Sequence, residues 1–161
     1  MIIRDEEPAD HADVREAVLA AFGGRQEADL VDRLRADGDA EISLVAADGA
    51  RILGHVLFSP MTAPFRSLGL APVSVLPDRQ GTGIGTQLIR AGLERAELGG
   101  WQGVFVLGEP AYYRRFGFDA ALASGFASPY AGAYLMALAL GGSLPATAGN
   151  VDYAAAFRTL S

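Results

Sequence analysis

The sequence contains no cysteine, and this absence excludes several kinds of chemistry. Without a cysteine among its 161 residues, the chain can form no disulfide framework, no thiolate metal site and no cysteine-bound acyl intermediate. Lysine is absent as well, since all 13 basic residues are arginine. A Walker-type phosphate loop needs a lysine that reaches the nucleotide phosphates, so the sequence also excludes that class of site.

Positive charge and long apolar runs are also scarce. A net charge of -6 and a pI of about 4.8 argue against a nucleic-acid partner and mildly favour a cationic, amine-bearing substrate. The longest apolar run, residues 130–140, is too short to cross a bilayer and is expected to form a strand. The first residues are acidic and polar, unlike a signal peptide. We therefore expect a cytoplasmic protein without a membrane partner.

Turn signals and apolar spacing divide the chain into helices and strands. One domain over residues 1–161 is expected, because 50% hydrophobic residues can fill a single core. Period-2 and period-3.6 patterns indicate the elements of this domain. They are strands at 2–4, 41–47, 51–59, 68–76 and 103–107, and helices at 8–22, around 30–34 and at 83–98.

A glycine-rich turn joins the strand at 68–76 to the helix at 83–98. It contains Gly81, Gly83 and Gly85 immediately before and within the first helical turn. A helix N-terminus presents unpaired N–H groups and partial positive charge, and glycines let an anion approach that backbone closely. The turn therefore predicts a phosphate site. A dinucleotide site is excluded, because neither a third glycine nor an acidic residue stands at the required spacing.

Two motifs in this part of the chain have a family resemblance. Gln80-x-x-Gly83-x-Gly85, after VLPDR, resembles the acyl-CoA pyrophosphate motif of the GNAT superfamily of N-acetyltransferases. Downstream, GEPAYYRRFGF at residues 108–118 ends in YxxxGF and resembles the second signature of that superfamily. A short buried strand at 103–107 separates them, which predicts a strand-helix-strand unit with parallel strands.

The resemblance implies an α/β fold, which combines a mixed central sheet of about six to seven strands with flanking helices. It also implies a splay between the strands at 68–76 and 103–107, where the pantetheine arm of acetyl-CoA adds to the first strand's edge. Pro72 fits this splay, because a mid-strand proline removes a ladder hydrogen bond. Protection of an edge strand is an alternative explanation for this proline.

The resemblance also implies the residues that bind the cofactor, acetyl-CoA, without a metal. They are the backbone groups of Val73 and Val75 and the loop residues Gln80, Gly81, Thr82, Gly83, Ile84, Gly85 and Thr86. The Val73 N–H would polarise the thioester carbonyl, as an oxyanion donor does. Whether Arg79 or Gln80 contacts the pyrophosphate stays open, although the glycine spacing favours Gln80.

The implied reaction is direct transfer of the acetyl group to an amine of a small molecule or peptide. Tyr113, four residues before the glycine of the second motif, takes the position of the family's general acid, and Tyr112 is the alternative. An amine with a pKa near 10.4 is about 0.1% neutral at pH 7, so a base must take its proton. Glu27 is the candidate base that we select, with Glu109 and His55 as alternatives.

Other functions stay open on the sequence alone. A non-catalytic acyl-CoA-binding sensor would keep the cofactor site and lose turnover, and a plain α/β interaction domain would bind no CoA. A covalent route through Ser59 or Ser74 is also open, although the two histidines, in different segments of the chain, offer no obvious Ser-His pair. The acceptor amine is not indicated, and a homodimer is compatible with the sequence.

Overall fold

The computed structural model describes residues 1–159 and has a six-stranded mixed sheet at its centre. The strands lie in the order β1-β2-β3-β4-β5-β7, and β6 pairs with β8 in a small second sheet. The strands are β1 Ile2–Asp5, β2 Ile42–Asp48, β3 Arg51–Pro60, β4 Ser67–Val75, β5 Gly103–Leu107, β6 Phe126–Ala127, β7 Leu135–Ala139 and β8 Gly149–Asn150. This architecture confirms the predicted fold class.

Helices cover both faces of the central sheet. The α-helices are α1 His11–Phe22, α2 Gln26–Ala36, α3 Ile84–Leu98, α4 Pro110–Tyr113 and α5 Ala120–Ala123. Short 3₁₀ turns occupy Pro8–Asp10, Pro77–Arg79, Arg114–Phe116 and Ala155–Thr159. The core on the α3 side includes Phe58 and Leu88, and the core on the α1 and α2 side includes Leu57 and Val31.

Strands β4 and β5 pair in parallel, as the strand-helix-strand pattern predicts. Their pairing runs only from Ser67 opposite Gly103 to Gly69 opposite Phe105. Beyond Gly69 the two strands separate, so one edge of β4 is left without a strand partner. A register shift between β3 and β4 accompanies Pro72, since Val56 pairs with Val73 and Phe58 already pairs with Leu70. The predicted splay is therefore present.

Close packing of α3 on β3 fixes the position of the glycine loop. A Cβ atom on Gly92 would lie 2.1 Å from the ring of Phe58, so only glycine allows the helix to approach the sheet this closely. Ile84, Leu88 and Ile89 are buried in the same core. The N-terminus of α3 is thereby held beside the end of β4.

The predicted strand over residues 130–140 is wrong in its first half. Only Leu135–Ala139 forms β7, while residues 130–134 form turns and bends. Gly132 has a φ of 149°, and Tyr134 is 57% exposed. The predicted strand was too long because it rested on apolar composition alone, without the alternation that marks a strand. The short elements β6, β8 and α5 were not predicted, because segments of two to four residues show no measurable period.

Candidate cofactor and active site

The chain between β4 and α3 turns on two glycines with left-handed backbone geometry. Gly81 has a φ of 79°, and Gly83, the N-cap of α3, has a φ of 89°. Residues with a Cβ atom rarely adopt these angles. The turn directs the first N–H groups of α3 outward, and no acidic residue stands in the first turn of the helix. This geometry suits an anion.

An open cavity of about 440 Å³ lies over this turn, and we call it the loop cavity. Its lining combines the loop, the end of β4 and two residues from the segment after β5. The lining residues are Val75, Arg79, Gln80, Gly81, Gly83, Ile84, Gly85, Thr86, Tyr112 and Arg115. The structure therefore brings most of the predicted cofactor residues to one surface. Val73 and Thr82 do not line the loop cavity: Val73 packs on the α3-side core, and the Thr82 hydroxyl donates to the Arg79 carbonyl.

Arg79 and Gln80 occupy different environments within the loop cavity. The Gln80 side-chain amide donates a 3.0 Å hydrogen bond to the Val75 carbonyl. The Arg79 side chain forms no hydrogen bond or ion pair within residues 1–159, yet it lines the same cavity. Within residues 1–159, one Gln80 side-chain donor is therefore already used, whereas no Arg79 side-chain donor has a hydrogen-bond partner.

The two neighbouring tyrosines of α4 also differ in their contacts. Tyr112 and Thr86 share a hydrogen bond of 2.9 Å between their hydroxyl groups, so Tyr112 links α4 to the first turn of α3. The half-buried Tyr113 has no hydrogen-bond partner for its hydroxyl in the described part of the chain. Its ring packs against Gly108, where an added Cβ would lie 2.4 Å away. Burial raises the pKa of Tyr113 to about 12, with a smaller contribution from Tyr112.

The three candidate bases lie in three different places, and none of them lines the loop cavity. Glu27 is half-buried in the first turn of α2, and its carboxylate has no hydrogen bond or ion pair with residues 1–159. Glu109 is exposed at the N-cap of α4 but forms no capping hydrogen bond. His55 is completely buried in β3. Among the three, Glu27 is the half-buried carboxylate without a partner.

His55 belongs to a buried polar network that joins β1, β2, β3 and α2. The Glu6 carboxylate accepts hydrogen bonds from Arg35 and Ser43, and His55 Nε2 lies 2.8 Å from Ser43 Oγ and 3.7 Å from Glu6 Oε2. Burial lowers the pKa of His55, while its contacts with Glu6 act in the opposite direction. Burial alone would raise the pKa of Glu6, but its neighbours His55, Ser43 and Arg35 outweigh burial and lower it to about 2. We call these residues the Glu6 network.

The serines considered as nucleophiles are both buried in the sheet. Ser74 lies directly opposite His55 in the β3-β4 register, a proximity that the sequence did not reveal. Their side chains nevertheless form no hydrogen bond, and both Ser74 Oγ and His55 Nδ1 lack a partner within residues 1–159. Ser59 Oγ is likewise buried without a partner. Neither serine forms the hydrogen bond to a base that an activated nucleophile requires.

Arg115 lines the loop cavity but was not predicted to do so. Its guanidinium carbon lies 4.3 Å from the centre of the Tyr112 ring. A signal was present in the sequence, because Arg115 stands three residues after Tyr112 and such residues meet on one helical face. Within residues 1–159, no three His, Asp or Glu side chains form a group that could hold a metal ion. No helix in that range is long and apolar enough to span a membrane.

Comparison with known proteins connects this geometry to one family. The family model for the acetyltransferase (GNAT) domain matches residues 39–120. The uncharacterized N-acetyltransferase YjhQ of Escherichia coli K12 is 41% identical over 131 residues, covering 76% of this chain and 72% of that protein.

Two solved structures share the whole fold. The GNAT family N-acetyltransferase YhbS of Escherichia coli in complex with CoA has a TM-score of 0.91 and 31% identity, covering 99% of this chain and 93% of its own. A GNAT family acetyltransferase of Brucella melitensis in complex with acetyl-CoA has a TM-score of 0.83 and 42% identity, with 97% of each chain covered. The family model matches more than half of the chain, and YjhQ is more than 30% identical over more than two thirds of it, so the chain belongs to the GNAT family of N-acetyltransferases.

Proposed function

We propose that this protein transfers an acetyl group from acetyl-CoA directly to an amine of a small molecule or peptide. One observation carries the proposal: the N-terminus of α3, with its glycine loop, lies beside the edge of β4 that pairs with no strand of residues 1–159 beyond Gly69. A cofactor with phosphates at one end and an extended amide arm at the other needs both features together. The relatives with bound CoA and acetyl-CoA support this choice of cofactor.

The phosphates of acetyl-CoA bind at the loop from Gln80 to Thr86. Backbone N–H groups at the start of α3 supply donors and partial positive charge. The pantetheine arm lies along β4, where backbone groups of Val73 and Val75 pair with it as a neighbouring strand would. The Val73 N–H then polarises the thioester carbonyl and stabilises the oxyanion.

The chemistry proceeds through one tetrahedral intermediate. The amine nitrogen attacks the thioester carbon, the carbonyl electrons move to oxygen, and their return breaks the carbon-sulfur bond and releases CoA thiolate. Full proton transfer from a tyrosine of pKa about 12 to a thiolate whose acid has a pKa near 8.5 is uphill by ~5 kcal/mol. Tyr113 therefore acts by donating a hydrogen bond to the leaving sulfur.

Glu27 accepts the proton of the amine, directly or through one water molecule. Its half-buried, unpaired carboxylate at the start of α2 supports this role. Glu109 is the alternative on the cofactor side of the sheet. His55 is the weaker candidate, because complete burial in the Glu6 network separates it from any ligand. The absence of a nucleic-acid partner fits the net charge of -6.

A titration with acetyl-CoA followed by an amine panel tests the proposal. Acetyl-CoA at 100 times its Kd should stabilise the fold by ~2.7 kcal/mol, which a thermal-shift assay detects. Release of free CoA thiol with at least one amine would support transfer. Binding without thiol release across small amines and peptides would favour the acyl-CoA sensor, and no thermal shift would exclude both.

A further inference from the structure

The arginines of this chain form two groups. Eight of the 13 arginines form ion pairs with carboxylates. The five that form none with any residue in 1–159 are Arg66, Arg79, Arg90, Arg114 and Arg115. Arg79 and Arg115 both line the loop cavity. Two unpaired cations at one cavity are notable in a chain with 19 acidic residues.

The structure holds the Arg115 head group in a defined orientation although the side chain is exposed. Its Nε donates a 2.9 Å hydrogen bond to the Tyr112 carbonyl, and its guanidinium lies 4.3 Å from the Tyr112 ring centre. Tyr112 in turn shares its hydroxyl hydrogen bond with Thr86. An arginine has five N–H donors, so four remain free on the two Nη atoms. These donors have no partner within residues 1–159.

We propose that Arg115 binds phosphate oxygens of CoA and that Tyr112 positions it. This inference rests on the proposed function, since it assigns a further residue to the same cofactor. A guanidinium binds phosphate through two parallel charge-assisted hydrogen bonds, and one that is already oriented loses less side-chain entropy on binding. Among residues 1–159, no acidic residue lines the loop cavity.

The position of Arg115 gives it an effect beyond added charge. It follows α4, on the β5 side of the splay, whereas the loop from Gln80 to Thr86 follows β4. A phosphate held by both therefore bridges the two arms of the splay. Tyr112 is then a positioning residue that joins α4 to α3, whereas Tyr113 donates a hydrogen bond to the leaving sulfur.

Isothermal titration of CoA into wild type and three variants tests the proposal. Arg115→Gln should weaken CoA binding ~10- to 100-fold, because a charged hydrogen-bond pair is lost. Arg115→Lys should recover only part of the affinity, since lysine lacks the planar fork. Arg90→Gln is the matched control: Arg90 is also unpaired and stacked, 5.0 Å from the Phe116 ring centre, but it does not line the loop cavity. Its CoA affinity should stay within ~2-fold of wild type.

Two further arms make the result decisive. The affinity of Arg115→Gln should depend less steeply on salt than that of wild type, because a screened charge is gone. Dephospho-CoA separates the two phosphate sources: an unchanged loss in Arg115→Gln assigns the pyrophosphate, and a vanished loss assigns the 3′-phosphate. Tyr112→Phe keeps the ring against which Arg115 stacks and removes only the Thr86 hydrogen bond, so a smaller loss of affinity is expected.

Wild-type affinity for both ligands in Arg115→Gln, with an unaltered salt dependence, would overturn the proposal. A wild-type protein that binds no CoA would instead overturn the proposed function itself. Thermal melting of each free variant checks that the fold is intact. Arg115 forms no ion pair within residues 1–159, so its removal should leave the melting temperature within ~2 °C of wild type.

Discussion

The Glu6 network and the loop cavity differ in whether their charged side chains have partners of opposite charge. In the Glu6 network, the buried carboxylate has Arg35, Ser43 and His55 around it, and its charge is balanced within the protein. In the loop cavity, Arg79 and Arg115 form no ion pair with a carboxylate of residues 1–159, although both line the cavity. The difference supports the proposal that the first set of charges stabilises the fold and the second set binds an anionic cofactor. Gly83→Val and Glu6→Gln each change one of these regions and should leave the other unchanged.

The largest effect is expected from Gly83→Val at the loop. Its side chain would occupy the space of the pyrophosphate, so acetyl-CoA binding should fall beyond detection, by more than ~10³-fold. A φ of 89° also makes a side chain strained there, at a cost of ~1–2 kcal/mol in stability. Gly38→Val is the matched control, because Gly38 has a φ of 78°, open space around it and no place in the loop cavity. Binding that survives in Gly83→Val would refute the loop as cofactor site.

Glu6→Gln disturbs the opposite region and should lower stability without changing cofactor affinity. The pKa of Glu6 is about 2 in the folded protein and 4.5 in the unfolded chain. The ionised carboxylate therefore contributes ~3 kcal/mol to the free energy of unfolding above pH 4.5, and this contribution is lost as the pH falls towards 2. Urea unfolding at pH 7, 4 and 2.5 measures this contribution. The gap between wild type and variant should shrink with acidification, and a gap that is constant or grows would contradict the assigned pKa.

Tyr113→Phe should leave acetyl-CoA affinity unchanged and reduce kcat ~10²-fold, because it removes only the free hydroxyl. Steady-state rates with an active amine give kcat, and titration gives the affinity. Tyr112→Phe is the comparison, since its hydroxyl already bonds to Thr86. Should Tyr112→Phe lose turnover while Tyr113→Phe keeps it, the hydrogen bond to the leaving sulfur has been assigned to the wrong tyrosine.

Features that depend on neighbouring residues could be predicted from the sequence, whereas contacts between residues far apart in the chain could not. The glycine loop, the parallel pair β4-β5 and the splay followed from contiguous motifs. The Glu6 network joins Glu6 to Arg35, 29 residues apart, and to Ser43, 37 residues apart. No local period reports such contacts, and the unequal environments of Tyr112 and Tyr113 likewise depend on where Thr86 lies. The last predicted strand begins only at Leu135, after Gly132 with its φ of 149°, although the apolar run starts at residue 130.

The smallest effect is expected from Asp78→Asn. Asp78 has an ion-pair partner, as Glu6 does, but it stands next to Arg79 of the loop cavity. Asp78 pairs with Arg51 at 3.0 Å on the surface, with both side chains at least half exposed. Stability should change by at most ~0.5 kcal/mol, because exposed ion pairs contribute little. Removing a negative charge near the loop should tighten CoA binding slightly, by less than ~3-fold. Weaker binding in this variant would show that Asp78 helps to shape the loop.

One measurement tests direct acetyl transfer itself. Enzyme is mixed with one equivalent of acetyl-CoA and an amine panel, and mass spectrometry follows free CoA, acetylated amine and intact protein in the same sample. We predict that CoA and acetylated amine appear together while the protein mass stays unchanged, because neither Ser59 nor Ser74 forms the hydrogen bond to a base that activates a nucleophile. An acetylated protein that forms before any amine is added, and then passes its acetyl group on, would contradict direct transfer.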